Sequence, residues 1–273
     1  MYVALVSILT ALVVLTVLVR WVEPRLAFFP VRGEFETPED FDVRYESVTI
    51  ATADGERLRG WVMPVAKPRA HVVYFHGNGG NLSNWSPILA GLVGRGYAVF
   101  AFDYRGYGLS TGRPTERGVY RDVDAVVRQA WADGARTVPL IYWGRSLGAA
   151  MAGYAATVRP PDGLILEAGF PDARAAIRGS APLRLLSLLA SYRFPTAAFV
   201  NRAQRPVLIM HGERDSVIPI AIGRELFEKI QTPKRFAVIA GGDHNDGTPR
   251  DAPAYWTTVE GFVASLPHSQ PGR

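Results

Sequence analysis

Ser146 stands at the centre of Gly144-Arg145-Ser146-Leu147-Gly148, between the apolar run 138–143 and the small-residue segment 149–153. That context predicts a buried strand, a sharp turn and a helix, and a serine on such a turn presents its hydroxyl above the strand ends. The glycines two residues to either side let neighbouring backbone approach where a side chain would clash. At the start of the new helix the Leu147 N–H lacks an intrahelical partner and is free to donate to an oxyanion. The chemistry implied is nucleophilic acyl transfer, which also requires a base, an acid and a second oxyanion donor.

The base is found among five histidines. His71 opens a strand, His268 lies in the tail, and His76 and His211 each end a strand before a glycine, a common place for a structural imidazole. His244, in Gly241-Gly242-Asp243-His244-Asn245, follows the last strand and can reach across the sheet's carboxyl edge towards Ser146. The acid is expected after the strand preceding the histidine's own. Asp215, in His211-Gly212-Glu213-Arg214-Asp215, follows the strand 206–210 and is favoured on that topology. It would accept from His244 Nδ1–H, fixing the tautomer and stabilising the imidazolium. Glu213, Asp243, Glu167 and Asp172 are the alternatives. The order Ser…Asp…His is the one in which enzymes built on this turn carry their triads.

The second oxyanion donor should come from the loop after the strand 72–75, which reads His76-Gly77-Asn78-Gly79-Gly80-Asn81. A rival reading takes Gly77-Asn78-Gly79 as the start of a phosphate-cradling G-x-G-x-x-G, with Asp103 as the ribose-binding acid, but Leu82 fills the last glycine position. A nucleotide site would also leave Ser146, Asp215 and His244 without a task, whereas acyl transfer uses both loops.

These residues need a scaffold. Hydrophobic content of 48% and charged content of 20% over 273 residues fit one large globular core and exclude a disordered chain. The net charge of +5 comes almost wholly from arginine, with no dense basic run, so no nucleic-acid partner is indicated. Absence of cysteine removes disulfides, thiol catalysis and thiolate metal sites. Residues 2–19 carry no charge, and at 1.5 Å per residue a helix of that length reaches roughly 27 Å, enough for a bilayer core. With no charged n-region and no A-x-A site, an uncleaved anchor is favoured over a signal peptide. Trp21 and Arg25 suit an interfacial belt, and residues 26–30 could lie on the membrane surface. Arg20, Arg25 and Arg32 after the span place the body in the cytoplasm by the positive-inside rule.

Beyond the anchor (1–20) and a linker (21–40), residues 41–266 alternate strands with helices. The runs 43–51 and 58–64 flank Asp54-Gly55 and predict a hairpin. Strands are expected at 72–75, 97–102, 140–143, 163–166, 206–210 and 235–240. Helices are expected at 84–95, 114–131, after the elbow, at 220–230 and at 252–266. This rhythm implies right-handed crossovers and a mostly parallel sheet covered on both faces. An arginine-dotted, leucine-rich interruption at about 170–204 reads as a small helical cap or, equally, as packing helices; 267–273 is a tail.

Together these motifs, with Asp103-Tyr104-Arg105-Gly106-Tyr107-Gly108-Leu109-Ser110, resemble the α/β-hydrolase-fold serine hydrolases over about 41–266. The nearest branch is the N-terminally membrane-anchored one, described as serine aminopeptidase-like or prolyl-oligopeptidase-like. The resemblance implies Ser146 as nucleophile, Asp215 as acid, His244 as base, and the N–H groups of Asn78 and Leu147 as the oxyanion hole. It implies a structural role for the turn 103–108, and no metal or organic cofactor. The expected activity is hydrolysis of an ester or thioester of a small-molecule or lipid-like acyl substrate, ahead of peptide cleavage. An acyltransferase on the same triad and a non-catalytic membrane-tethered binding protein are the alternatives.

Overall fold

A computed structural model describes residues 2–130, 137–178, 188–246 and 253–267. Trp131, Leu183, Leu185 and Leu186 of the expected cap, Ala252 and the tail from His268 lie outside the described residues. The chain begins with helix α1 (Tyr2–Ala27) and a two-residue strand β1 (Phe29–Pro30). The expected hairpin is β2 (Glu46–Ala51) and β3 (Arg57–Met63), antiparallel about Asp54-Gly55. Then follow β4 (Ala70–Phe75), the short β5 (Gly79–Gly80), α2 (Leu82–Gly94), β6 (Tyr97–Phe102), α3 (Glu116–Gln129), β7 (Leu140–Arg145), α4 (Leu147–Val158) and β8 (Gly163–Glu167). The last elements are α5 (Ala173–Ala176), α6 (Thr196–Ala203), β9 (Val207–Gly212), α7 (Ile220–Lys229), β10 (Lys234–Ile239) and α8 (Pro253–Ala264).

Eight strands form one sheet in the order β10-β9-β8-β7-β4-β6-β3-β2, parallel from β10 to β6 with β3 antiparallel to β6. Strands β6, β7, β8 and β9 are buried at every residue, as a parallel sheet covered on both faces requires. One core packs α3, α4, α6 and α7 onto the sheet through Val123, Val127, Ala152, Val200 and Leu226. The other packs α2 and α8 through Leu89, Leu92, Trp256 and Val259. Helix starts obey local chemistry: the Asn81 side chain accepts from Ser83 N–H at 2.9 Å, and Thr115 accepts from Gly118 N–H at 3.1 Å. Each residue therefore begins its helix a little away from where apolar spacing alone placed it.

Two regions differ from the expected organisation. Helix α1 does not stop near Arg20 but runs on to Ala27, and residues 28–33 lie against the body rather than spanning it as a linker. Phe28, expected at the membrane surface, is buried against Tyr192 and Phe194, with ring centroids 5.9 and 6.1 Å away; Leu26 and Phe29 are exposed. In the interruption, α6 packs on α4 through Val200 in the core, so this part behaves as a packing helix. The turn after β6 is a rigid junction. Arg105 reaches Asp122 of α3 at 2.8 Å and Asp54 of the hairpin at 2.9 and 3.0 Å, and its own N–H binds Asp122 at 2.8 Å. Asp103, the rival reading's ribose acid, is 2% exposed and accepts from Leu82 N–H at 2.9 Å, so it seats α2 instead.

Candidate active site

Strands β4, β7, β8, β9 and β10 end along one edge, with Phe75 opposite Gly144, Arg145 opposite Glu167, and Gly212 opposite Ile239. The loops leaving that edge carry Asn78, Ser146, Asp215 and His244, where ligands of open α/β sheets collect. Ser146 has φ +54° and ψ −117°, a conformation an L side chain rarely adopts. Its N–H is held by the Glu167 carbonyl at 2.8 Å. A Cβ on Gly144 would strike the Gly148 carbonyl, and one on Gly148 would strike the Phe75 carbonyl. Gly144 is thus required by the tightness of the turn itself, and Gly148 by the turn's closeness to β4.

The three expected side chains meet. His244 Nε2 lies 3.1 Å from Ser146 Oγ, and His244 Nδ1 lies 2.7 Å from Asp215 Oδ2. With Asp215 ionised, Nδ1 is the donor and Nε2 is left to accept the serine proton. Asp215 Oδ1 takes N–H bonds from Val217 at 3.0 Å and Ile218 at 2.7 Å. Burial pushes its carboxyl up, but donors on His211 and His244 and the Ile218 N–H outweigh burial and hold it well below the usual carboxylate range.

The alternative acids have other tasks. Asp172 caps α5 through Ala175 N–H at 2.9 Å, Glu213 accepts from Gly241 N–H at 3.0 Å, and Asp243 binds Ser216 N–H and His244 N–H at 2.7 Å each. Glu167 is buried and ion-paired with Arg145 at 3.3 Å, and Tyr255 Oη donates to it at 3.0 Å. Among the described residues, neither Asn78 N–H nor Leu147 N–H has a protein partner, so both are available to an oxyanion. Also among the described residues, no group of three or more acidic or histidine side chains is placed to hold a metal ion.

Several contributors escaped sequence reading. Arg145, only 3% exposed, donates from its guanidinium to the His244 carbonyl at 2.5 Å and so ties the β7 turn to the histidine's loop. The signal was visible as one cation in an otherwise apolar strand. His211 is buried, donates from Nε2 to the Ile218 carbonyl at 2.7 Å and faces Asp215 Oδ2 at 3.3 Å, bracing the acid's loop. Tyr107 Oη donates to Asn78, with the carbonyl at 2.9 Å and Oδ1 at 3.0 Å. Burial raises its phenol well above the usual range.

Comparisons with known proteins bear on the family and the fold. The family described as serine aminopeptidase, S33 matches residues 66–205, just over half of the chain. An uncharacterized protein of Mycobacterium tuberculosis is 32% identical over 244 residues, covering 88% of this chain and 86% of its own. An uncharacterized membrane protein of Saccharomyces cerevisiae is 30% identical, covering 85% and 84%. Among solved structures, an esterase of Pyrococcus furiosus superposes with a TM-score of 0.70 at 21% identity, covering 88% of this chain and 98% of its own. An esterase from a Rhodococcus species gives 0.62 at 17% identity, covering 81% and 99%. Those two share the fold. The chain belongs to the serine aminopeptidase S33 family and is a serine hydrolase of the α/β-hydrolase fold.

Proposed function

We propose that this hydrolase is a membrane-anchored esterase or thioesterase working through Ser146, His244 and Asp215, with Asn78 and Leu147 N–H groups as the oxyanion hole. The observation that carries the reading is the continuous chain Asp215 Oδ2, His244, Ser146 Oγ, with links of 2.7 and 3.1 Å, together with the Asn78 and Leu147 N–H groups, which have no protein partner among the described residues. Ser146 Oγ attacks the acyl carbonyl while His244 Nε2 takes its proton. The carbonyl electrons move onto oxygen, where each N–H donor contributes about 3 kcal/mol of transition-state stabilisation. Collapse of this adduct breaks the bond to the alcohol or thiol, which leaves with the proton from His244. Water, deprotonated by the same imidazole, attacks the acyl-serine and releases the acid. Asp215 stays ionised throughout and pairs with the imidazolium.

Helix α1 supports the anchoring. It is long and apolar enough to cross a membrane by length and composition, and the yeast relative is named a membrane protein. The arginines after its apolar stretch favour a cytoplasmic body. An acyl ester or thioester that partitions into the bilayer is the substrate class such an anchor suits. A fluorophosphonate probe should label wild type and not Ser146→Ala. A p-nitrophenyl ester series of increasing acyl length, run on detergent-solubilised protein, should show turnover that Ser146→Ala lacks. Wild type that neither labels nor turns over any ester or acyl-thioester would overturn the reading.

A further inference from the structure

The loop that carries Asn78 is badly equipped to hold an N–H group still. Gly77, Gly79 and Gly80 surround the asparagine, Gly80 sits at φ +84°, and a glycine backbone is the least constrained of all. An oxyanion donor must nevertheless be placed to within a few tenths of an ångström. The order comes from outside the loop: Tyr107 Oη donates to the Asn78 carbonyl at 2.9 Å and Trp85 Nε1 to the Gly79 carbonyl at 3.2 Å, and the remaining contacts come from the exit of α1. Phe29-Pro30 pairs in parallel with Gly79-Gly80, Phe29 N–H donates to Asn78 Oδ1 at 3.3 Å, and Val31 N–H donates to the Gly80 carbonyl at 3.0 Å. Asn81 Nδ2 returns bonds to the carbonyls of Val31 at 3.2 Å and Gly33 at 2.8 Å.

The same segment is fastened at its other edge and at its start. Gly108 N–H donates to the Val31 carbonyl at 2.8 Å, and Arg32 reaches the carbonyls of Ser110 at 2.6 Å and Gly112 at 3.0 Å. Upstream, Glu23 is 7% exposed although it lies on a helix with no other buried residue. Its carboxylate accepts from Ser191 N–H at 3.0 Å, Ser191 Oγ at 2.6 Å and Tyr192 N–H at 2.7 Å. Three donors on one carboxylate fix the end of α1 against Ser191 and Tyr192, inside the interruption 170–204, and Phe28 packs into Tyr192 and Phe194 just beyond.

We infer that residues 23–33 are a positioning strap for the oxyanion loop: the seated end of α1 holds β1, and β1 holds the Asn78 N–H where the developing oxyanion needs it. The anchor is then a working part of the site as well as a tether. The inference rests on the hydrolase reading above and makes a more specific demand. A donor that matters only when charge develops should affect turnover and leave substrate binding alone.

The test uses full-length protein in detergent micelles. Val31→Pro deletes the N–H that binds Gly80, and Glu23→Ala removes the seat of α1; Glu23→Gln keeps the shape and part of the accepting capacity. Active sites are titrated with a fluorophosphonate, so that rates are per competent serine. For p-nitrophenyl butyrate, Val31→Pro and Glu23→Ala should lower kcat about tenfold or more with KM within about twofold, a weakened rather than deleted oxyanion donor. A trifluoromethyl ketone, which forms a tetrahedral adduct, should lose affinity by the same factor as kcat/KM, and Glu23→Gln should recover part of both. Unchanged kcat per titrated site overturns the strap, whether or not melting temperature and titratable fraction fall, because a purely structural role changes how many sites are competent and not how fast each works. Wild type that fails to label or turn over removes the hydrolase reading itself, and the strap with it.

Discussion

Two ionic clusters lie near the carboxyl edge of this sheet, and only one of them leaves an atom open. Around Arg105, the guanidinium is spent on Asp122 and Asp54, and the Arg105 N–H closes the last gap. Around Asp215, the carboxylate is equally well supplied with donors, from His244, Val217 and Ile218. The difference lies at the far end. His244 turns its second nitrogen to a half-buried hydroxyl whose proton it can take. A closed cluster locks three elements together, whereas a cluster left open at one atom keeps a nitrogen for the proton transfer of the proposed mechanism.

That contrast can be broken from either side. Asp215→Asn should cut kcat about 10⁴-fold while leaving the fold intact, because the amide cannot hold His244 in the tautomer that accepts from serine; ester turnover and circular dichroism measured together check it. Arg145→Met should have the next largest effect. It frees the His244 carbonyl and leaves Glu167 buried without its ion pair, costing about 3–5 kcal/mol of stability and about 10–100-fold in kcat. Adding Glu167→Gln should restore much of the stability in urea titrations and little of the rate. Arg105→Met should cost about 3–5 kcal/mol of stability for the same reason, yet leave kcat per titrated site within about twofold. A proportionate loss of per-site activity there would erase the distinction between the clusters.

The smallest effects concern pH, and they have opposite signs in the two clusters. Asp215 is held below the ordinary carboxylate range, so its contribution to stability is present above that range and is lost as pH falls through the depressed value. Asp122 is pushed up to about 6 from 3.8, chiefly by burial against the opposing pull of Arg105. Its contribution is fully present below about 3.8 and is lost as pH rises through about 6. Melting curves between pH 3 and pH 8 should therefore lose part of their acid-side slope in Asp215→Asn and part of their slope near pH 6 in Asp122→Asn.

What could be read from residues alone follows a physical pattern. The meeting of Ser146, Asp215 and His244 was legible because each sits just past a strand whose apolar run is plain, and parallel register then brings the strand ends together. The hairpin was legible for the same reason, with Asp54-Gly55 between two runs. The course of residues 21–33 was not. Arg20, Glu23 and Arg25 interrupt the apolar pattern of α1, and nothing local reveals that Glu23 will find Ser191 and Tyr192 some 170 positions on. A two-residue ladder between Phe29-Pro30 and Gly79-Gly80 has no periodicity to detect. Arg145 was visible as a charge in a buried strand, but its partners, Glu167 and the His244 carbonyl, are fixed only by tertiary packing.

The backbone of Ser146, at φ +54° and ψ −117°, has a consequence for the whole molecule's heat tolerance. A residue with a side chain in such a conformation costs about 1–3 kcal/mol, and every folded copy carries that debt whether or not substrate is present. Ser146→Gly would abolish the nucleophile and relieve the strain, so the inactive protein should melt higher than the active one. On the proposed mechanism, the need for this serine holds the fold below the stability its sheet and helices could otherwise reach, and the gap in melting temperature measures what keeping a serine on that turn costs.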